Sequence, residues 1–162
     1  MLIVMRIYSW KPKISLFVWL ALGSGLLVTS LPVKAADLRI EIENFKGDKG
    51  VAVIFLFEDK NRKNFPLDIE KKAPLCKQTK RIKKQKVLLY CKGIPPGRYA
   101  LFAFHDENEN DQPDHHWYGP PKEAIGFSNQ AKPKTFGPPD FDEAAFNLGS
   151  EDITINIVLS VF

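Results

Sequence analysis

The chain has 162 residues, with 23 basic and 19 acidic side chains. Its four surplus basic residues all lie before Asp37, so the 126 residues from Asp37 to Phe162 carry no formal net charge. This balance argues against a nucleic-acid partner, because nucleic-acid-binding domains carry a marked basic excess or patch. The same 126 residues suffice for one domain with one core, and we expect a single domain at 37–162.

The first 36 residues have the order typical of a secretory signal peptide. Basic Arg6, Lys11 and Lys13 precede an apolar run at 14–33, and Val33-Lys34-Ala35 fits a small-x-small cleavage pattern. Cleavage near Ala35 or Ala36 would export the protein, making it periplasmic, secreted or exposed on the cell surface. The run is also about long enough to span a bilayer, so an uncleaved anchor is the alternative. Membrane contact is expected only in that second case.

Six segments are predicted as strands. The first alternates apolar and charged residues, whereas the second, VAVIFLF, is continuously apolar and is expected to be central in a sheet. A turn-rich stretch joins these two, which predicts an antiparallel hairpin between them. The six segments are 38–42, 51–57, 76–81, 86–91, 98–104 and 153–161.

Little of the chain looks helical. Phe141–Asn147 is predicted as a short helix because Asp140 and Glu143 have the spacing of a capping box. The polar stretch 58–73 is expected to be an irregular connection with a single helical turn. Strands with short turns predict an all-β fold, an antiparallel β-sandwich with one long irregular loop, and a partly open barrel is the alternative.

Cys76 and Cys91 are the two cysteines of the chain. An oxidising compartment favours a disulfide between them. They lie at matching distances from Lys83-Lys84, which predicts that they face each other across a hairpin. A catalytic thiol would need a neighbouring base, and none is evident nearby in the sequence.

The stretch 105–116 carries five acids and three histidines. With Asp106 as position 1, oxygen-bearing side chains recur at positions 3, 5 and 9, which are Asn108, Asn110 and Asp114. This alternation is typical of a calcium loop, in which the backbone wraps around a hard cation and turns every second side chain inward. Gln112 at position 7 would add its backbone carbonyl. The spacing therefore predicts a calcium site.

The loop departs from the full calcium pattern at two positions. Position 6 is Asp111 rather than glycine, and position 12 is Trp117 rather than a bidentate carboxylate. Glu123, Asp140 or Asp142 from nearby loops would then complete the ligand shell. One alternative is an Asx-rich turn without metal. Another is a zinc or copper site that uses the three histidines His105, His115 and His116.

A longer motif follows the loop and resembles a known family. The matching residues are His105, Asp106, Asn108, Asn110 and Asp114, then Gly119, Pro121, Glu123 and 126–129, then Pro138, Phe141 and Ala144, with Ile94–Gly97 and Tyr99 upstream. This pattern is similar to that of the bacterial exported family called domain of unknown function twenty-one forty-one. The resemblance covers 37–162 and implies an exported β-sandwich of the transthyretin-like kind, with no activity assigned. Relatives usually carry a glycine inside the acidic loop, where this chain has Glu109 and Asp111.

These observations favour an exported, non-enzymatic module whose calcium loop orders a surface for a ligand or protein outside the cytoplasm. Trp117 and Tyr118 are the candidate contact residues of that surface, whereas Phe127 and Phe141 are expected to anchor the long loop by packing. A structural envelope protein without metal is one alternative. A hydrolase that uses His105, the acidic cluster and Ser128 is the other.

Overall fold

The structure, a computed structural model, describes residues 34–66, 74–135 and 137–161. These residues belong to one compact unit, Pro32–Phe162. The predicted signal peptide lies outside the described residues, as does part of the connection predicted at 58–73. No helix in the described part of the chain is long and apolar enough to cross a membrane.

The described residues form eight strands in two sheets. Sheet A has the order β4-β1-β8, and sheet B has the order β3-β2-β5-β6 with β7 paired to β5. The strands are β1 (Ala36–Glu43), β2 (Val51–Glu58), β3 (Cys76–Arg81), β4 (Lys86–Ile94), β5 (Gly97–Asp106), β6 (Ile125–Phe127), β7 (Phe146–Leu148) and β8 (Ile153–Val158). The all-β prediction is confirmed in this form, and the transthyretin-like subclass stays a prediction.

The main core lies between the two sheets. Leu38 and Ile40 of β1 face Ile54 of β2 and Leu101 of β5, and all four are fully buried. A second core covers the other face of sheet B, where Phe55, Phe102 and Phe104 pack under helix α1 (Phe141–Ala144) and neighbouring loops. The central strands β2 and β5 of sheet B are therefore buried on both faces, which explains the continuous apolar run of β2.

The hairpin predicted between the first two strands is wrong. β1 pairs with β4 on one side and, in parallel, with β8 on the other, whereas β2 pairs with β3 and β5. The physical reason is that the two strands differ in burial. β1 alternates because one face of sheet A meets solvent, and β2 is apolar throughout because both faces of sheet B are covered. The sandwich is also not purely antiparallel, because β1 and β8 are parallel.

The Cys76–Cys91 disulfide is confirmed, with the two Cα atoms 6.1 Å apart. The hairpin predicted around the disulfide is wrong. The chain pairs only at Lys83 and Lys86, beside the turn between β3 and β4, and the two strands then diverge into different sheets. The disulfide therefore joins an edge strand of sheet B to an edge strand of sheet A. It closes one open side of the two-sheet structure.

Short elements complete the chain. The helical turn expected after β2 is confirmed as a 3-10 helix at Asp59–Asn64. The helix predicted at 141–147 is shorter, because α1 keeps its capping box but ends at Ala144, and Phe146 begins β7. The three-residue strands β6 and β7 were not predicted, because three residues are too few to show a strand period.

Three loops meet at one end of the molecule, which we call the loop end. It comprises 44–50, 82–85 and 107–124, which follow β1, β3 and β5. Direct bonds join them: the Asp48 carboxylate accepts the backbone N–H groups of Lys84 and Gln85, and Lys46 Nζ donates to the Lys122 carbonyl. The acidic loop lies here.

Candidate functional site

The acidic loop begins where β5 ends. Asp106 is the last residue of the strand and is 1% exposed. Its carboxylate accepts the backbone N–H of Asn110 at 3.1 Å and that of Asp111 at 2.7 Å. The chain therefore curls back around the side chain of Asp106, as a calcium loop does around its first ligand.

The other predicted ligand side chains are hydrogen-bonded to one another. Asn108 and Asn110 donate side-chain N–H groups to the Asp114 carboxylate at 2.9 and 3.2 Å. Their own side-chain oxygens accept backbone N–H groups, from Asn110 and Gln112 respectively. The structure thus brings Asp106, Asn108, Asn110 and Asp114 into one hydrogen-bonded loop that is organised by Asx turns.

The remaining acids of the loop face outward, and each has a basic partner. Glu107 lies 3.4 Å from Lys46, and Glu109 lies 3.0 Å from Arg81. Asp111 pairs with Lys77. Such exposed pairs contribute less than about 1 kcal/mol each. These pairs nevertheless offset the charge of the three outward acids. Asp106 and Asp114 remain as the inward carboxylates of the loop.

Sequence reasoning missed these basic partners. Lys77 and Arg81 lie an even number of residues apart on β3, so both side chains point to the same face of sheet B, where the acidic loop lies. The sequence contains both alternating patterns, one of basic residues on β3 and one of acidic residues in the loop. Their pairing follows only from the position of β3 next to β2, which the sequence alone does not give.

Glu123 fastens the loop at both ends. Its side-chain oxygens accept the backbone N–H of Glu107 at 2.9 Å and that of Asp114 at 3.0 Å. Glu123 is 4% exposed, and burial raises the pKa of its carboxyl above the ordinary value, with a further contribution from the negative charges of Asp106 and Asp114. A cation in the loop would favour the ionised form of Glu123.

We predict that Glu123→Gln lowers the free energy of unfolding by about 1–3 kcal/mol. A glutamine amide offers one acceptor oxygen and a donor NH2 group, so the part-buried backbone N–H of Glu107 or of Asp114 would lose its partner. Urea unfolding gives the stability, and hydrogen exchange at 107–114 reports the loosened loop. Glu107→Gln is the matched control, because it removes only the exposed pair with Lys46 and should change stability by less than about 1 kcal/mol. Equal effects of the two substitutions would contradict this role.

Two residues in the loop have left-handed backbone. Glu109 has φ 59° and Asp111 has φ 69°. Such angles cost a residue with a side chain roughly 1 kcal/mol, whereas glycine adopts them freely. A glycine would suit this geometry, and the chain instead holds Glu109 and Asp111 through Arg81 and Lys77.

Two of the predicted completing ligands lie elsewhere. Asp142 on α1 pairs with Arg62 and, at 2.6 Å, with Arg98 at the start of β5, and these hydrogen bonds and charges lower the pKa of its carboxyl. Asp140 precedes α1 and pairs with Lys134 at 2.5 Å. Because Arg98 and Asp106 lie at opposite ends of β5, the structure does not bring Asp140 or Asp142 to the loop. Glu123 is the completing candidate that lies beside it.

The three histidines do not gather. His105 is buried against Phe45, with Nε2 bonded to the Lys49 carbonyl at 2.7 Å, and its Nδ1 has no partner among the described residues. His115 and His116 lie in the following hairpin. Within the described ranges, no group of three or more His, Cys, Asp or Glu side chains is placed to hold a metal. The predicted calcium set consists largely of asparagine side chains and a backbone oxygen, which lie outside such a group.

The serine of the hydrolase hypothesis is structural. Ser128 is fully buried; its Oγ accepts the Leu101 N–H at 2.9 Å and donates to the Ala144 carbonyl at 2.5 Å. His105 lies four residues beyond Leu101 on β5, which corresponds to roughly 13 Å along a strand. The structure does not bring Ser128 and His105 within hydrogen-bond reach.

The segment after the loop forms a small hairpin at 114–122. Lys122 N–H donates to the Asp114 carbonyl at 2.9 Å, and His116 N–H donates to the Pro120 carbonyl at 2.8 Å. Trp117 and Tyr118 are at its tip and are 95% and 61% exposed. Phe127 and Phe141 are buried in the second core instead. The four aromatics thus divide into two anchors and two exposed residues.

Comparison with known proteins decides the family. The model of a bacterial family, "Uncharacterized protein conserved in bacteria (DUF2141)", matches residues 40–156. The chain belongs to this family. The match runs from β1 into β8 and includes the whole acidic loop, and it confirms the family predicted from the sequence motif. No curated protein matches the chain, and no solved structure does.

Proposed function

We propose that this member of the family is an exported, non-enzymatic module that binds one calcium ion in the loop 106–114. The ion would order the loop end as a surface for a partner outside the cytoplasm. The observation that carries the proposal is the division of the loop side chains. Three acids face outward onto basic partners, whereas Asp106, Asn108, Asn110 and Asp114 are joined by hydrogen bonds within the loop.

The inward set has the chemistry that calcium requires. Asp106 and Asp114 supply two negative charges, and the two asparagines supply neutral oxygens once their side-chain amides rotate. The Gln112 carbonyl and water would complete a shell of six to eight oxygens. The absence of a bidentate carboxylate at position 12 points to weak binding, with Kd on the order of 0.1–1 mM, as in extracellular calcium modules.

Calcium would also stabilise the fold. Asp106, Asp114 and Glu123 lie close enough for their charges to interact, and the pKa of Glu123 is raised in part by the other two. A divalent cation between Asp106 and Asp114 would offset this repulsion. Binding to the folded state alone then raises stability by mass action.

We predict that about 10 mM calcium raises the melting temperature by about 5–10 °C, which corresponds to roughly 1.5–3 kcal/mol at 10 to 100 times Kd. Asp114→Asn removes an inward carboxylate and should abolish most of this shift. Asp111→Asn is the matched control: it makes the same chemical change three residues away, on an acid that faces Lys77, and should keep the shift. Differential scanning calorimetry measures both.

Magnesium at the same concentration should shift melting much less, because that ion demands tighter octahedral geometry than this irregular loop provides. If calcium shifts neither melting nor protease sensitivity, the loop is a metal-free Asx turn and the proposal fails. Equal losses in Asp111→Asn and Asp114→Asn would instead show a diffuse charge effect without a site.

A further inference from the structure

The hairpin at 114–122 presents its aromatic residues on a convex tip. Gly119 N–H donates to the His116 carbonyl at 2.9 Å, which closes a turn with Trp117 and Tyr118 at its two central positions. Tryptophan is normally well buried because its ring is large and mostly apolar. Exposure of 95% on a hydrogen-bonded turn therefore indicates a residue held out for contact.

The orientation of the rings indicates the kind of contact. The Trp117 and Tyr118 rings are 5.5 Å apart and 82° from parallel, and Tyr118 stacks on His116 at 4.9 Å. Perpendicular rings on a convex tip form neither a flat stacking platform nor the concave pocket that encloses a small ligand. Such a tip suits the surface of a lipid membrane, which can deform around it. Trp and Tyr concentrate at membrane–water interfaces because one part of each ring system is apolar and the other is polar.

The loops of the loop end also carry exposed basic side chains. Lys83 and Lys84 lie in the β3–β4 turn, Lys49 lies before β2, and Lys122 closes the hairpin; all four are exposed. Among the described residues, no carboxylate lies within ion-pair distance of these four side chains. The outward acids of the loop are meanwhile occupied by Lys46, Arg81 and Lys77. In the part of the chain that the structure describes, these four lysines are thus the basic side chains of the loop end without an ion-pair partner.

We propose that the loop end docks on anionic membrane surfaces. Trp117 and Tyr118 would insert at the level of the headgroups, and Lys49, Lys83, Lys84 and Lys122 would face lipid phosphates. This inference rests on the proposed function, because the calcium loop holds the base of the hairpin, and a bound ion would add two positive charges to the same end. The sequence predicted membrane contact only through an uncleaved leader, which is a separate segment.

Trp117 is itself the reporter for the test. The other tryptophans, Trp10 and Trp19, lie in the leader, and every core residue described lies between Ala36 and Leu159. The unit Pro32–Phe162 therefore contains the complete core and a single tryptophan. It is mixed with phosphatidylcholine vesicles that hold about 30% phosphatidylglycerol and brominated acyl chains, with either calcium or EDTA. We expect a blue shift and quenching of Trp117 emission, and at least about fivefold weaker binding to vesicles of phosphatidylcholine alone.

Variants separate insertion from general adhesion. Trp117→Ala should weaken binding to anionic vesicles, measured by sedimentation, by on the order of tenfold. The double variant Lys83→Gln, Lys84→Gln should weaken it by about 25-fold, at about fivefold for each lysine. Tyr90→Ala is the control, because Tyr90 is 44% exposed on sheet A, and its removal should leave binding unchanged. Melting temperatures of these variants should match that of the wild type, because all four side chains are exposed.

The inference is overturned if anionic vesicles neither shift nor quench Trp117 emission in calcium or in EDTA, or if Trp117→Ala binds as the wild type does. A soluble glycan or protein that shifts the emission when vesicles do not would also overturn it. The calcium-induced melting shift is recorded in the same samples. A melting shift without vesicle binding rejects the membrane inference alone, whereas vesicle binding in EDTA without a melting shift supports it and rejects the calcium site.

Discussion

Gly50→Ala is expected to lower the free energy of unfolding by about 2–5 kcal/mol. Gly50 has φ 80°, in the left-handed region that side chains disfavour by about 1–2 kcal/mol. An added Cβ would lie 2.8 Å from the Glu107 Cα atom and closer still to the Asp106 carbonyl oxygen. Such overpacking against backbone costs a further 1–3 kcal/mol or so, because neither strand can move freely.

The same substitution should weaken calcium binding, since relief of the clash displaces Asp106, the first residue of the loop. Urea unfolding and a calcium titration of one preparation measure both effects. Gly47→Ala is the matched control: it lies three residues earlier, where a Cβ meets nothing within 4 Å, and it should change stability by less than about 0.5 kcal/mol. If Gly50→Ala is equally mild, the close approach of the two backbones is not real.

Removal of the disulfide should cost about 3 kcal/mol, either by reduction or in a Cys76→Ala, Cys91→Ala variant. The bond closes a loop of 15 residues, so its loss returns conformational entropy to the unfolded chain. In the folded state it joins edge strands of different sheets, which pair with each other only at Lys83 and Lys86. Total stability of a domain of this size is about 5–15 kcal/mol, so the loss is a large fraction.

Guanidinium unfolding of the oxidised and reduced protein measures this loss. The calcium-induced stabilisation should persist in the reduced form, because Asp106 and Glu123 hold the acidic loop, whereas the disulfide lies next to only one of its outward pairs, Asp111 with Lys77. A loss below about 1 kcal/mol would mean that the two sheets hold together without the covalent link. Loss of the calcium effect on reduction would show that the two regions are coupled.

The strands were predictable where burial leaves a period in the sequence. VAVIFLF at 51–57 is apolar throughout because sheet B carries a core on each face, and 38–42 alternates because sheet A has one solvent face. The same contrast already implied that the two strands belong to different environments. The short turn between them predicts a hairpin, but the two strands pair elsewhere, because they differ in burial.

Long-range partners could not be predicted from the sequence alone. The charge pairs Lys77–Asp111 and Arg81–Glu109 join residues 34 and 28 positions apart, and local patterns hold no record of such distances. Local chemistry, in contrast, was readable: the capping box at Asp140 and the alternation of Asp106, Asn108 and Asn110 are both set within a few residues. The prediction that Asp140 or Asp142 lies beside the acidic loop is wrong, because their position depends on the course of the chain after β6, which the local sequence does not set.

The division of the acidic loop is the central feature of the account, and a crystal structure grown with about 10 mM calcium tests it most directly. We expect one ion at about 2.3–2.6 Å from oxygens of Asp106, Asn108, Asn110 and Asp114, with both asparagine amides turned so that oxygen faces the ion. The outward pairs of Glu109 and Asp111 should remain. An empty loop in which Asn108 and Asn110 still donate to the Asp114 carboxylate would contradict it.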